Sequence, residues 1–451
     1  MALRIAFFTP LTPLQTALAD HSEGLLPYLQ QGAEIDLFID NSYQPTNQNI
    51  IKQFKVYSYQ EFSRRAADYD LTVYVMGDHP FHEYMHELIH THPGVLILHD
   101  TQLQNYFIAR SLRRGGLANY EAEIEYAYGK GIGRRAANLI LSRQADRLRG
   151  LFPLVERFVE WSLGTIVYNE FAYNDLLARR PHAQVRQLKY HFYLPAGFPA
   201  TIDIESIKAR WGIDKNFIIG TFGLFHSPDK RLDVCLRAFK QFREIRPDAR
   251  YLLVGDYSSD YDVPGLIRAY GLEDSVTLTG WMDTLEFAQH LCVPDIAIHL
   301  RYPHIGGTLY TPLRLLGLGK PTILSDIEPL AEFPEGCCVK IAPDEYEADT
   351  LLETLKYLAQ NPDFRLQLGE NARQFIQQHY QAEQIAREHL NFFEQAASTS
   401  PKSLTATASN GWYSQLIRES AAITAQWGIH ENNEALLRPI AEAITSLMVE
   451  D

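Results

Sequence analysis

Residues 295–334 read DIAIHLRYPHIGGTLYTPLRLLGLGKPTILSDIEPLAEFP, and the order of their local signals decides the fold. The run DIAIHL is short, apolar and rich in β-branched residues, which marks a buried strand. A glycine-bearing loop follows: His304, Ile305, Gly306, Gly307 and Thr308. Thr311 then offers a capping hydroxyl and Pro312 a first helical position, a paired signal for a helix start. That short helix, LRLLGLG, ends at Gly319, and Lys320-Pro321 lead into a second buried strand, TILS. The order is strand, glycine loop, helix N-terminus, strand. Such a loop aims backbone N–H groups and the positive end of a helix dipole at one point, and a phosphate or diphosphate is its natural guest.

The same alternation extends in both directions. Apolar runs in the first half are RIAFFT, EIDLFID, LTVYVM, GVLILH and GTIVYN; in the second half they are FIIGTFG, RYLLVGD, SVTLTG, DIAIHL, PTILSD and CCVKIA. Strands without polar alternation, separated by helical patterns, predict parallel sheets covered on both faces. Two series predict an α/β protein of two doubly wound, Rossmann-like domains, their boundary falling where Pro195, Gly197 and Pro199 interrupt regular structure. We place the first domain at residues 1–200 and the second at 201–370. A long helix is expected over 371–396, a small-residue linker over 397–411 and a helical tail over 412–451, whose apolar face packs on a domain or a partner subunit. Facing domains of this type put the carboxyl ends of both sheets around one cleft.

Composition narrows the function classes. The chain of 451 residues has a net charge of −14, which argues against general nucleic-acid binding. Cys235, Cys292, Cys337 and Cys338 form no C-x-x-C pair, so they suggest neither a disulfide scaffold nor a thiolate zinc site. MALRIAFFTP reads as a first strand rather than a signal peptide, and no run reaches the ~20 apolar residues of a membrane span. The expected location is therefore cytoplasmic.

Several residues carry chemistry by type and place. In FIIGTFGLFHSPDKRLDVCL the loop opens at Gly223, and Ser227 or Asp229 is positioned to cap the next helix. Lys230 and Arg231 then fall in its first turn, where cations oppose the dipole unless an anion is also bound. GVLILHD ends in His99-Asp100 at the carboxyl end of a strand, a position that points a histidine into the cleft for proton transfer or hydroxyl binding. PLQTALADHS enters a helix near Asp20, which reads as a cap or a cleft residue. His82-Glu83-Tyr84-Met85-His86 and its overlap to His90 fit H-E-x-x-H, the pattern of zinc hydrolases. Pro93-Gly94 ends that segment directly before a strand, so an ordinary crossover helix explains it better.

With these residues in hand, the chain resembles the retaining family-four glycosyltransferases of GT-B fold, in particular a bacterial branch. The matching motifs are PLQTALADHS, MGDHPFHEYMHELIHTHPGVLILHD, GTFGLFHSPDKRLD and LRYPHIGGTLYTPLRLLGLGKP, and the resemblance spans about residues 1–395. It implies transfer of a sugar from a nucleotide diphosphate donor to a hydroxyl with retention, without a metal or other cofactor. The base and sugar stay open, UDP and GDP-mannose being typical. Lys230 and Arg231 would neutralise the diphosphate; Gly306, Gly307 and Thr308 would bind the β-phosphate; His99 would touch the transferred sugar. Asp20 and Asp100 would lie on the acceptor side, Gly223 and Gly255 on the donor side. The acceptor would be a glycan, a lipid-linked glycan or a protein.

Two departures stand out. The family's first glutamate of a pair, seven residues apart, is Gly307 here, and its second is Arg314, as is usual in this branch. Glu328 or Glu332 offers a substitute carboxylate. The arginine that follows the phosphate-loop glycine is absent, with Leu224 nearby and Arg301 as a replacement. A degenerate protein that binds without turnover is the alternative reading. A cluster of Arg113, Arg114, Lys130, Arg134, Arg135, Arg143, Arg147 and Arg149 reads either as a peripheral contact with anionic membrane at its inner face or as a solvated, salt-bridged surface.

Overall fold

The structure is a computed structural model and describes residues 2–398 apart from 149, 150, 215, 259, 260, 305, 308 and 309. The tail expected over 412–451 lies outside the described residues, as do Thr308 and the linker from 399 onward.

Two parallel sheets form the frame. The first contains β1 (Leu3–Phe8), β2 (Ala33–Ile39), β3 (Lys55–Ser58), β4 (Leu71–Met76), β5 (Val95–Leu98), β6 (Gly164–Val167) and β7 (Val185–Gln187), in the order β3-β2-β1-β4-β5-β6-β7. The second contains β8 (Phe217–Phe222), β9 (Ala249–Val254), β10 (Val276–Leu278), β11 (Ile296–His299), β12 (Thr322–Ser325) and β13 (Val339–Ile341), in the order β10-β9-β8-β11-β12-β13. Strand order reverses between β1 and β4 and again between β8 and β11, so each sheet has a crevice at its carboxyl end. The two expected doubly wound domains are therefore present. Strands β3 and β7, which the apolar runs do not announce, are short outer strands with exposed or half-buried side chains.

Burial on both faces explains the unalternating strands. On β1, Ile5 and Phe7 enter one core while Ala6 and Phe8 enter the opposite one. On β9, Tyr251 and Leu253 face one way, Leu252 and Val254 the other.

Five helices border the cleft or join the two domains: α1 (Ala17–Leu29), α2 (Leu232–Ile245), α3 (Tyr310–Gly317), α4 (Pro362–His379) and α5 (Ala382–Ala397). The single helix expected over 371–396 is two. Tyr380 and Gln381 leave the helical conformation, and the Phe192 N–H donates to the Tyr380 carbonyl at 2.8 Å. A strand-like bridge between Phe192 and Gln381 thus replaces helical bonds that the local sequence alone would favour. Beyond the break α5 lies on the first domain: Leu390 fills the space over Gly32, Phe392 that over Gly164, and Tyr168 bonds to His389 at 3.0 Å. One apolar cluster accordingly runs from Ile5 and Val73 through Tyr190 and Tyr310 to Leu316, Ile376 and Phe393.

Phe393 is fully buried in that cluster. Phe393→Ala should cost about 3–5 kcal/mol by loss of burial and creation of a cavity. The check is the urea midpoint followed by circular dichroism; a loss under about 1 kcal/mol would remove α5 from the core.

Candidate functional site

A cleft of ≈ 1070 Å³ lies between the carboxyl ends of the two sheets, lined by residues of both domains. Asp20, His99, Asp100, Gly223, Lys230, Gly255, Arg301, Gly307 and Arg314 all line it. Arg231, Gly306 and Glu332 do not, and Thr308 is outside the described residues.

Consider the floor of the second domain first. Gly223 and Gly255 follow β8 and β9 with φ of 127° and 135°, and the space a Cβ on Gly255 would take is filled by the Gly223 carbonyl. Only glycine permits this approach, which leaves the cleft floor as bare backbone. Ser227 and Asp229 cap no helix; Pro228–Lys230 is a 3-10 turn, and α2 starts after it. Lys230 is therefore outside the first turn of α2, contrary to the expectation, and its Nζ lies 4.0 Å from Asp229 Oδ2. The same carboxylate meets Arg301 Nε at 3.1 Å. Burial, then the adjacent Arg301, pull the Lys230 pKa down to about 7, against Asp229 and Asp100, which raise it.

Arg231 turns away. It adopts a left-handed conformation, φ 54°, and its Nε donates to Glu347 Oε2 at 2.8 Å. Glu347 is buried at the start of the helix Glu347–Gln360, so this guanidinium serves that carboxylate rather than the cleft. The left-handed residue reverses the chain between neighbours, which is why two adjacent cations have separate destinations.

The first domain contributes His99 and Asp100 after β5. His99 is buried; its Nδ1 lies 2.5 Å from the Tyr190 hydroxyl, and Nε2 has no hydrogen-bond partner among the described residues. Burial, with His82 and His389 nearby, lowers its pKa to about 3, so the ring is neutral at ordinary pH. Where Tyr190 donates to Nδ1, Nε2 carries the ring proton and can donate it to a hydroxyl. Asp100 accepts the Asp78 N–H at 2.9 Å through Oδ2. Asp20 does not cap α1, a task done by Thr16. Its carboxylate instead crosses the cleft, accepting from Thr284 Oγ1 at 2.7 Å and pairing with Arg314 Nη1 at 3.5 Å. Burial raises the Asp20 pKa, and Arg314 opposes it. Arg314 Nε and Nη2 remain without hydrogen-bond partners among the described residues, and the guanidinium lies over the Tyr310 and Tyr193 rings, 4.3 and 5.1 Å from their centroids.

Other expectations resolve differently. Gly306, φ 73°, packs against Thr101, and its carbonyl accepts from Asn169 Nδ2 at 3.0 Å. It seats the loop against the first domain. Glu332 accepts from Tyr380 at 2.7 Å and Glu328 pairs with His304 at 3.1 Å, so neither carboxylate lines the cleft. The first H-E-x-x-H runs from a 3-10 helix, Pro80–Met85, into a short α-helix, His86–Thr91, so His82 and His86 lose a common face; His86 and His90 share that helix, but both rings pack on Trp161. His86 bonds to Tyr106 at 2.9 Å, Glu83 pairs with Arg113, and no group of three metal-ligating side chains occurs among the described residues.

Sequence reading missed His299, Tyr190 and Thr284. His299 ends β11 as His99 follows β5, lines the cleft, and has a buried Nε2 without a partner among the described residues. Its place at a strand's carboxyl end was the one signal that could have found it. Nothing local marks Tyr190 or Thr284, whose partners lie on distant segments.

Residues 203–375 match the family described as glycosyl transferases group 1. Among solved structures, Anabaena HepE in complex with UDP-glucose superposes with a TM-score of 0.61 at 16% identity, covering 87% of this chain and 100% of that one. Sucrose-phosphate synthase from Thermosynechococcus elongatus gives 0.60 at 15% identity, covering 88% and 100%. The fold is GT-B. A curated relative, the alpha-D-kanosaminyltransferase of Streptomyces kanamyceticus, is 22% identical over 203 residues, 44% of this chain. The chain spans about half the length of that relative, 52%. In GT-B terms the matched residues 203–375 contain the whole second sheet with Lys230, Arg301 and Arg314.

The Arg231–Glu347 pair yields a test. Arg231→Ala should destabilise the chain by about 3 kcal/mol, because a buried carboxylate is left unpaired, and Glu347→Gln should recover part of it. Thermal denaturation measures both. An Arg231→Ala protein of unchanged stability would show that Glu347 needs no such partner.

Proposed function

We propose that this chain is a glycosyltransferase that moves a sugar from a nucleoside diphosphate donor to a hydroxyl acceptor, with retention at the anomeric carbon and without a metal. The convergence of Lys230 and Arg301 on a bare-glycine cleft floor, opposite the neutral His99, carries this reading. Cations at that place neutralise a diphosphate as it departs, and His99 Nε2 is free to meet a sugar hydroxyl. In the proposed step the bond from the anomeric carbon to the phosphate oxygen breaks, and its electron pair stays on the phosphate. The acceptor oxygen bonds to the carbon on the same face, and its proton passes to the departing phosphate. HepE is solved with UDP-glucose, so UDP is the first nucleotide to try.

Titration with UDP, GDP and ADP, then incubation with their glucose or mannose conjugates, tests the reading. Tight binding of one nucleotide with its release from the matching sugar supports transfer; binding with no turnover toward any acceptor supports the degenerate alternative that Gly307 suggests. Lys230→Ala should weaken nucleotide binding or turnover about 100-fold, roughly 3 kcal/mol.

The low Lys230 pKa adds a signed prediction. A bound diphosphate favours the charged lysine, so above pH about 7 binding must take up a proton. UDP affinity should therefore fall as pH rises beyond 7, by up to roughly tenfold per pH unit. Calorimetry in two buffers should show the uptake. An affinity constant from pH 7 to 9 would take Lys230 out of phosphate contact.

For the acceptor we propose a lipid-linked glycan reached from an anionic surface, which places the chain at the inner face of a membrane. Lys130, Arg134, Arg135 and Arg143 are exposed around the helix pair Ala118–Tyr128 and Ile132–Leu141, beside Leu141 at 71% exposure. Arg113 and Arg114 instead meet Glu83 and Glu87, as a salt-bridged surface would. Co-sedimentation with anionic liposomes that weakens as salt is added supports the proposal; no co-sedimentation overturns it.

A further inference from the structure

The substituted glycine of the donor loop faces a carboxylate. An ideal Cβ on Gly307 would lie 2.5 Å from Asp100 Oδ1 and 3.4 Å from the His99 carbonyl. Gly307 has no positive φ, unlike Gly306, so its backbone does not demand glycine. The demand comes from the neighbour: any side chain at 307 collides with Asp100.

Asp100 is held for a purpose other than packing. Its Oδ2 accepts the Asp78 N–H at 2.9 Å, and Asp78 is itself fixed by the Tyr106 N–H and by Asn105 Nδ2, both at 2.8 Å. This chain of bonds orients the carboxylate and leaves Oδ1 with no hydrogen bond among the described residues, at the cleft wall beside Lys230 and Arg301. Burial pushes its pKa up, and Arg301 and Lys230 oppose that. An oriented carboxylate oxygen at a cleft wall with no donor is an unmet acceptor, and a ligand hydroxyl satisfies it.

We infer that Asp100 Oδ1 is the carboxylate that binds a hydroxyl of the donor sugar, supplied by the first domain to a site whose phosphate ligands lie on the second. This assignment rests on the donor reading proposed above and moves Asp100 from the acceptor side to the donor sugar. It has a mechanical consequence. The glycine loop reaches Asp100 only because Gly306 seats on Thr101 and Asn169. Sugar recognition therefore requires the two domains to meet, whereas nucleotide binding by the second domain does not.

The experiment compares Asp100→Asn with the wild type by calorimetry, using UDP, GDP and ADP against UDP-glucose, GDP-mannose and ADP-glucose. The asparagine oxygen can still accept from Asp78, so the fold is retained. For the nucleotide that the wild type binds, the variant should bind the free diphosphate equally or more tightly, since a negative charge beside it is gone. Its affinity for the sugar conjugate should fall at least tenfold. Equal changes for both ligands, or none for either, overturn the assignment of Asp100 alone. A wild type that binds no nucleotide overturns the donor reading and this inference together. Gly307→Ala gives an independent check, because its Cβ displaces Oδ1: it should lose the sugar conjugate tenfold while keeping the free nucleotide, and unchanged affinity for the conjugate counts against the inference.

Discussion

The seating of the glycine loop on the first domain is the contact on which the site depends. Gly306 adopts φ 73°, Thr101 occupies the space its side chain would need, and Asn169 holds its carbonyl. The His304 ring meets Phe171 edge-on, with centroids 4.7 Å apart. A side chain at 306 would have to push these elements apart, moving the second domain's cations away from His99. Close approach of the loop backbone to first-domain side chains is thus converted into a composite cleft, each domain supplying groups the other lacks.

Charge pairing is the second constraint. A guanidinium or carboxylate removed from water must find a partner, or burial costs several kcal/mol. Arg231 meets this demand with Glu347, Arg301 with Asp229, and Arg314 with Asp20 across the cleft. These pairs differ in what they leave over. Arg231 sits outside the cleft lining, while Arg314 keeps Nε and Nη2 without hydrogen-bond partners among the described residues. Arg314 thus keeps donors at the cleft wall, over the Tyr193 and Tyr310 rings, while Arg231 braces the start of the helix Glu347–Gln360.

Period and run length carried much of the architecture. Strands buried on two faces are nearly all apolar, so β1, β4, β8 and β11 could be read directly, and with them the carboxyl ends where His99, Gly223 and the glycine loop sit. Outer strands β3 and β7 have little to bury and leave no such mark. Adjacent residues defeated the reading wherever backbone conformation separated them: Lys230 and Arg231 look like one cationic pair until a left-handed residue parts them. Long-range pairing defeated it too. Neither Asp20–Thr284, across 264 positions, nor Tyr380–Phe192 has a local signature, and the first converts an apparent cap into a strut between domains. Gly307 shows the same limit from another side. As a letter it marks a missing carboxylate; in space it marks where a carboxylate from elsewhere has been placed.

The net charge of −14 bears on how such a site can hold an anion. The long-range field of the protein repels a nucleotide, but at physiological ionic strength that field decays over about 8 Å. Affinity must then come from groups within contact distance. Lys230 and Arg301 supply the positive charge, yet Asp229 and Asp100 lie beside them, and burial, then Arg301, hold down the Lys230 pKa. Two cations facing two carboxylates nearly cancel, and burying such a group costs less than burying two bare cations. On the proposed reading, an arriving diphosphate raises the charged fraction of Lys230. On that reading the local arrangement, not the overall field, selects the ligand.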